Sequence, residues 1–125
     1  NKLNKLRRDA IREFDKLSLD NMRKCLRLFG VKSDDLSNEL VESTLFTMVD
    51  KNPKKFFDKW VDNKSKDTEF IIEEAVAKGV IRKDKTNYYY GTDLIATSLP
   101  EAIAYLDNKK NQDLKLVIIN ETNNK

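Results

Sequence analysis

Three consecutive tyrosines, Tyr88, Tyr89 and Tyr90, follow closely on Arg82, Lys83 and Lys85. Cations interleaved with aromatic rings are the composition of a surface on which the bases of a single nucleic-acid strand stack. The same residues also suit a contact with another protein, and tyrosine is besides a good strand former that buries its ring and keeps its hydroxyl wet. In a strand, Tyr88 and Tyr90 share one face and Tyr89 takes the other, so one core face cannot hold all three. We expect Tyr89 and one neighbour to pack inward, with the tip around Lys83 to Thr86 exposed. Arg82, Lys83, Lys85, Tyr88 and Tyr90 are then the candidate partner-binding residues.

A second group of cations lies near the start of the chain. Arg7, Arg8 and Arg12 fall on a first helical pattern, and Arg23, Lys24 and Arg27 on a second. Together they could form one basic surface for phosphate or for an acidic partner. The net charge of +3 hides strong segregation: residues 1–32 carry ten basic and four acidic side chains, residues 33–50 carry five acids and no base, and residues 51–66 are basic again. Helices of opposite sign pair with one another, so the same pattern also describes contacts inside the chain or with another protein.

Other chemistries have little material. The chain has no histidine and a single cysteine, Cys25, which removes the commonest general base and the usual zinc ligand sets. Asp34, Asp35, Glu73 and Glu74 are sequence neighbours that point to different helix faces, as helix-dipole and solubility groups do. No catalytic residue, metal site or cofactor is expected, and the composition speaks against an enzyme. No apolar run approaches the roughly 18 residues of a membrane span, and the polar start shows no signal peptide. Cys25, without a partner in the chain, fits a reducing compartment.

The elements that must carry these residues are mostly helical. Leu3, Leu6, Ala10, Phe14 and Leu17 recur at helical steps over 2–17. Ser18 or Asp20 caps a second helix with Met22, Cys25, Leu26 and Phe29 inward, ended by Gly30. A third opens at "KSDDLSNEL", with Ser33 as cap and Asp34 and Asp35 at its positive end. Asn52 and Pro53 start a fourth, carrying Phe56, Phe57 and Trp60. After a linker at 63–67 comes a short helix closed by Gly79. A hairpin follows, with strands at 80–83 and 87–90 and a brief third strand at Leu94-Ile95. Ser98 and Glu101 have capping-box spacing for a further helix. "DLKLVIIN" reads as a helix and residues 120–125 as a polar tail. The fold class is therefore mainly α: a helical lobe over 1–62, then a small α+β lobe over 68–119 built as helix–β-hairpin–helix.

A helix before a basic-tipped hairpin is also the local grammar of a winged-helix module. The helix in the recognition position, "TEFIIEEAVAK", holds three acids and one lysine, the wrong sign for a DNA groove. The stretch "FIIEEAVAKGVIRKDKTNYYYGTDLIATSLPEAIAYLDNKKNQDLKL", Phe70 to Leu116, resembles the C-terminal region of small proteins of tailed bacteriophages. The resemblance implies an accessory protein that works by binding, in the virion or the host cytoplasm. The resulting expectation is a non-enzymatic interaction protein whose partners are other proteins of a larger phage assembly. The alternative is a nucleic-acid-binding regulator with a winged-helix-like second lobe.

Overall fold

The computed structural model describes residues 1–125, which divide into two units, Asn1–Lys66 and Asp67–Lys125. The protein is mainly helical, with seven α-helices and one small antiparallel sheet. No helix is long and apolar enough to cross a membrane.

The first unit contains α1 (Lys2–Asp15), α2 (Leu19–Leu28), α3 (Asn38–Lys51) and α4 (Pro53–Phe56), the last continued by a π-helical turn, Phe57–Val61. Side chains at helical spacing supply the core: Ala10 and Phe14 from α1, Cys25 and Leu26 from α2, Val41, Leu45 and Val49 from α3, then Phe56 and Trp60. Ser18 caps α2, its hydroxyl accepting from the Asn21 N–H, and Asn52 caps α4 with Pro53 at the first helical position. Gly30, at φ 81°, ends α2 in a Schellman turn in which the Val31 N–H reaches back to the Leu26 carbonyl at 2.9 Å.

The cap of α3 differs from expectation. Ser37 is the N-cap, with extended backbone and an oxygen 3.2 Å from the Leu40 N–H, and Asp34 and Asp35 stand in the turn before the helix. Ser33 is buried instead, because its carbonyl accepts a hydrogen bond from the Arg23 guanidinium. The loop is pinned from α2 four residues before α3 can begin.

The second unit begins one residue into α5 (Lys66–Ala77), and what composition reads as a linker is an Asn63-centred turn before that helix: the Asn63 side chain accepts from the Ser65 N–H and donates to the Lys59 carbonyl. Gly79, at φ 77°, closes α5. The N–H groups of Val80 and Ile81 both donate to the Ala75 carbonyl, at 2.8 and 3.1 Å. These two residues therefore finish the helix, and β1 starts late, at Arg82–Asp84. β2 (Asn87–Tyr90) and β3 (Asp93–Ala96) complete a meander of order β1-β2-β3. Asp84 pairs with Asn87, so Lys85 and Thr86 alone make the turn, with Lys85 at φ 57°.

α6 (Leu99–Asp107) is capped by Ser98. A 3-10 turn, Lys109–Asn111, then leads into α7 (Gln112–Asn123). One face of the sheet and these helices enclose a second core around Ile72, Ala75, Ile81, Tyr88, Leu106 and Ile118. A polar clamp ties three of the helices: the Thr68 hydroxyl donates to Asp107 at 2.6 Å, and Lys115 donates to Asp107 at 3.1 Å and to the Thr68 oxygen at 3.3 Å.

The C-terminal residues are not a tail. α7 continues through Asn123 because its last turns have partners. Buried Thr122 donates to the Ile118 carbonyl, Lys78 donates to the Thr122 carbonyl, and the Tyr90 hydroxyl donates to Glu121. Ending the chain at Ile119 should lower the stability of this unit by about 1–3 kcal/mol, read by urea unfolding.

The Thr68 hydroxyl, and then Lys115, hold the Asp107 carboxyl below its usual range against the opposing effect of burial. A carboxyl lowered on folding stabilises above its unfolded pKa, and that contribution vanishes as pH falls through the folded value. The stability difference between wild type and Asp107→Asn should thus be greatest near neutrality and shrink below about pH 4. Urea midpoints measured across that range check it.

Candidate functional site

The burial of the tyrosines is set by the sheet, which has one face on the core. Tyr88 is 2% exposed and belongs to the core cluster, and Tyr90, half-buried, packs against the same cluster. Tyr89 takes the other face. The expectation of an inward Tyr89 is therefore reversed, and Tyr88 is withdrawn from the candidate contact residues. The physical reason lies in β3: Tyr88 pairs with Ala96 but Tyr89 pairs with Leu94, leaving Ile95 as an extra residue. This bulge lets Ile95 and Ala96 both turn inward around the Tyr88 ring.

On the outer face the same register aligns one residue from each strand. Arg82 pairs with Tyr89, which pairs with Leu94. The Arg82 guanidinium carbon lies 4.1 Å from the centre of the Tyr89 ring, a stacked cation–π contact. Leu94 is 51% exposed, one of the more open large apolar side chains of the protein. The row thus runs from guanidinium to ring to aliphatic side chain across the whole sheet. Sequence reading missed Leu94 and gave Tyr89 the wrong face. The run "GTDLIA" did carry a signal, since an apolar pair in a short strand must send one member outward.

The hairpin tip stays open. Lys83 and Lys85 are exposed, and Lys83 Nζ sits 5.6 Å from the Tyr88 ring centre, over the edge of the core. Neither lysine nor Arg82 forms an ion pair within the chain. Beside the row, Gly79, Arg82, Tyr89, Tyr90, Gly91 and Lys125 border a shallow concavity. Tyr90 is committed there: its hydroxyl donates to Glu121 Oε1 at 2.6 Å, and this bond raises its pKa, with burial and the Glu121 charge adding to it.

The basic helices give a different result from the single surface proposed for them. Arg7 is paired with Asp50 of α3 and Arg12 with Asp9 one turn back. Arg23 donates to the Ser33 and Leu36 carbonyls and to the Asn38 side chain, which makes it a clasp for the loop. Lys24 and Arg27 are half-buried and have partners of their own. Arg8 alone of the six is exposed and unpaired. Opposite charges meet inside this unit, as the +6 and −5 segments allow.

No group of three or more carboxylate, cysteine or histidine side chains lies close enough to hold a metal ion. Cys25 is fully buried, and burial pushes its thiol up to about 12, against a smaller lowering by Lys66. It remains a protonated apolar group at neutral pH. No protein-family model, curated protein or solved structure matches the chain.

The two faces of β2 make opposite demands on stability. Tyr88→Ala should cost about 3–5 kcal/mol, as other large-to-small aromatic deletions in cores do. Tyr89→Ala, losing a half-buried ring stacked on Arg82, should cost less, about 1–2 kcal/mol. Parallel urea unfolding of the two variants distinguishes them, and equal losses would contradict this assignment of faces.

Proposed function

We propose that the protein is a non-enzymatic docking protein that binds another protein through the outer face of its small sheet. The observation that carries this reading is the outward-facing row of exposed Arg82, half-buried Tyr89 and exposed Leu94, flanked by the cations of the hairpin tip. Arginine and tyrosine dominate the energetics of protein contacts, and a guanidinium already stacked on a ring loses little freedom on binding. In the first unit Arg7 pairs with Asp50 and Arg23 is spent on the loop before α3, whereas Arg82, Lys83 and Lys85 at the hairpin have no ion pair. The resemblance of 70–116 to small proteins of tailed bacteriophages fits this role, as a component that docks on a larger assembly in the virion or host cytoplasm.

The three unpaired cations at the tip favour a second reading, binding of single-stranded nucleic acid. The aromatic arrangement supports it less. Tyr88 is buried, Tyr90 is held beside a carboxylate, and Arg82 already covers one face of Tyr89. No tyrosine offers the bare paired platform that base stacking uses.

One experiment separates the two. Partners captured from the native source on immobilised wild-type protein would be compared with those captured on Tyr89→Ala and Leu94→Asp. A protein partner lost by both variants, whose stabilities stay within about 2 kcal/mol of wild type, is the expected outcome. Binding to oligo-dT should be weak even at low salt. Tight oligo-dT binding that falls steeply with salt, by about 0.7 log units per log unit of salt for each phosphate contacted, would favour the nucleic-acid reading instead.

A further inference from the structure

We infer that the open edge of β1 accepts an extended acidic segment of the partner protein as a fourth strand; this rests on the docking reading and names the partner's chemistry. The strand order places β1 at the edge of the sheet, with β2 on one side only. All three of its residues, Arg82, Lys83 and Asp84, are exposed. The backbone groups on its far side are turned outward without a strand to meet them, the situation in which an extended peptide adds by main-chain hydrogen bonds.

Charge selects the occupant. Arg82, Lys83 and Lys85 line this edge without an ion pair in the chain, and Asp84 alone opposes them. The Tyr89 ring lies 4.1 Å from the Arg82 guanidinium carbon, and the guanidinium has no hydrogen-bond or ion-pair partner in the chain, so its donors are available to a bidentate carboxylate contact. Alternation sets the pattern of the guest. Arg82 points to the outer face and Lys83 to the core side, over the Tyr88 ring. Two adjacent acidic residues in an added strand would therefore reach one cation each, on opposite faces. With only three residues in β1, backbone bonds alone give little affinity, so the carboxylates are essential to the contact.

The test uses the full chain and three fluorescein-labelled short peptides. The first has two central glutamates flanked by valine and threonine. The second replaces both glutamates by lysine. The third keeps the glutamates but is N-methylated at both, so that charge remains and the backbone donors are lost. We expect the first to bind, and the second and third to bind at least about tenfold more weakly. Arg82→Gln should weaken the first peptide by about tenfold, with amide exchange slowed at Lys83, whose N–H faces the open edge, in the wild-type complex only. Equal binding of the first and third peptides, or no binding of the first, overturns strand addition. The capture experiment with Leu94→Asp is read separately. Loss of the captured partner there, with no peptide binding at β1, leaves the docking face standing and removes only this inference.

Discussion

A three-stranded sheet with a single core face can present only alternate residues of its central strand to that core, and the second unit is arranged around this constraint. Tyr88 occupies the central inward position, so its ring is the piece around which Ile81, Ile95, Ala96, Leu106 and Ile118 assemble. Once Tyr88 points in, Tyr89 must point out. The bulge in β3 follows from the same demand: a ring of that size is closed over by two consecutive residues where a regular ladder would supply one. What remains on the far side, an arginine, a tyrosine and a leucine in register, is a by-product of filling the core correctly. A surface made this way is rigid, because its side chains stand on a backbone fixed from behind.

The first unit obeys an electrostatic constraint of another kind. Its net charges of opposite sign lie on successive helices, and pairs such as Arg7 with Asp50 join them across the bundle. Exposed pairs of this sort add little stability each. Their larger effect is on the field outside, which cancels at short range where positive and negative helices are neighbours. Arg23 matters more to the fold, since two backbone carbonyls and an amide oxygen in the α2–α3 loop depend on one guanidinium. The guanidinium thus adds to the Leu36 N–H bond to the Ser33 carbonyl in holding a loop of low helical propensity.

Helices and stops were legible because their signals are local. Gly30, Gly79, Asn52-Pro53 and Ser98 each act within one turn of their own position, and each stands where its sequence context indicates. The helical stripes also named Ala10, Phe14, Met22, Cys25, Leu26, Phe56 and Trp60, all buried in the first unit, though Leu3 on the same pattern is exposed. What could not be read depended on residues distant in sequence. Ser33 has the composition of a cap, but its carbonyl is taken by Arg23 ten residues earlier. Residues 120–125 look like solvent-loving tail, yet Lys78 and Tyr90 hold them from elsewhere in the unit. The direction of the tyrosines was the hardest case: period two fixes that neighbours differ, and only the position of the helices decides which of them is inside. For the site, the cations at the tip were visible at once, whereas the row was not, since it exists only through strand register.

The π-helical turn at Phe57–Val61 gives the first unit an unusual freedom in chain length. There the Asp62 N–H reaches back five residues to the Phe57 carbonyl, at 2.8 Å, so the turn contains one residue more than an α-helix would place in it. Phe56 just before the widened turn and Trp60 within it stay buried, while Asp58 between them is exposed and pairs with Lys54 at 2.8 Å. A single-residue deletion in most helices rotates every later side chain by about 100°, which would carry Trp60 out of the core. Here the helix can absorb the loss by tightening to ordinary α geometry, with the aromatic anchors still in reach of their places. This turn is a point at which the chain can lose a residue and remain the same bundle.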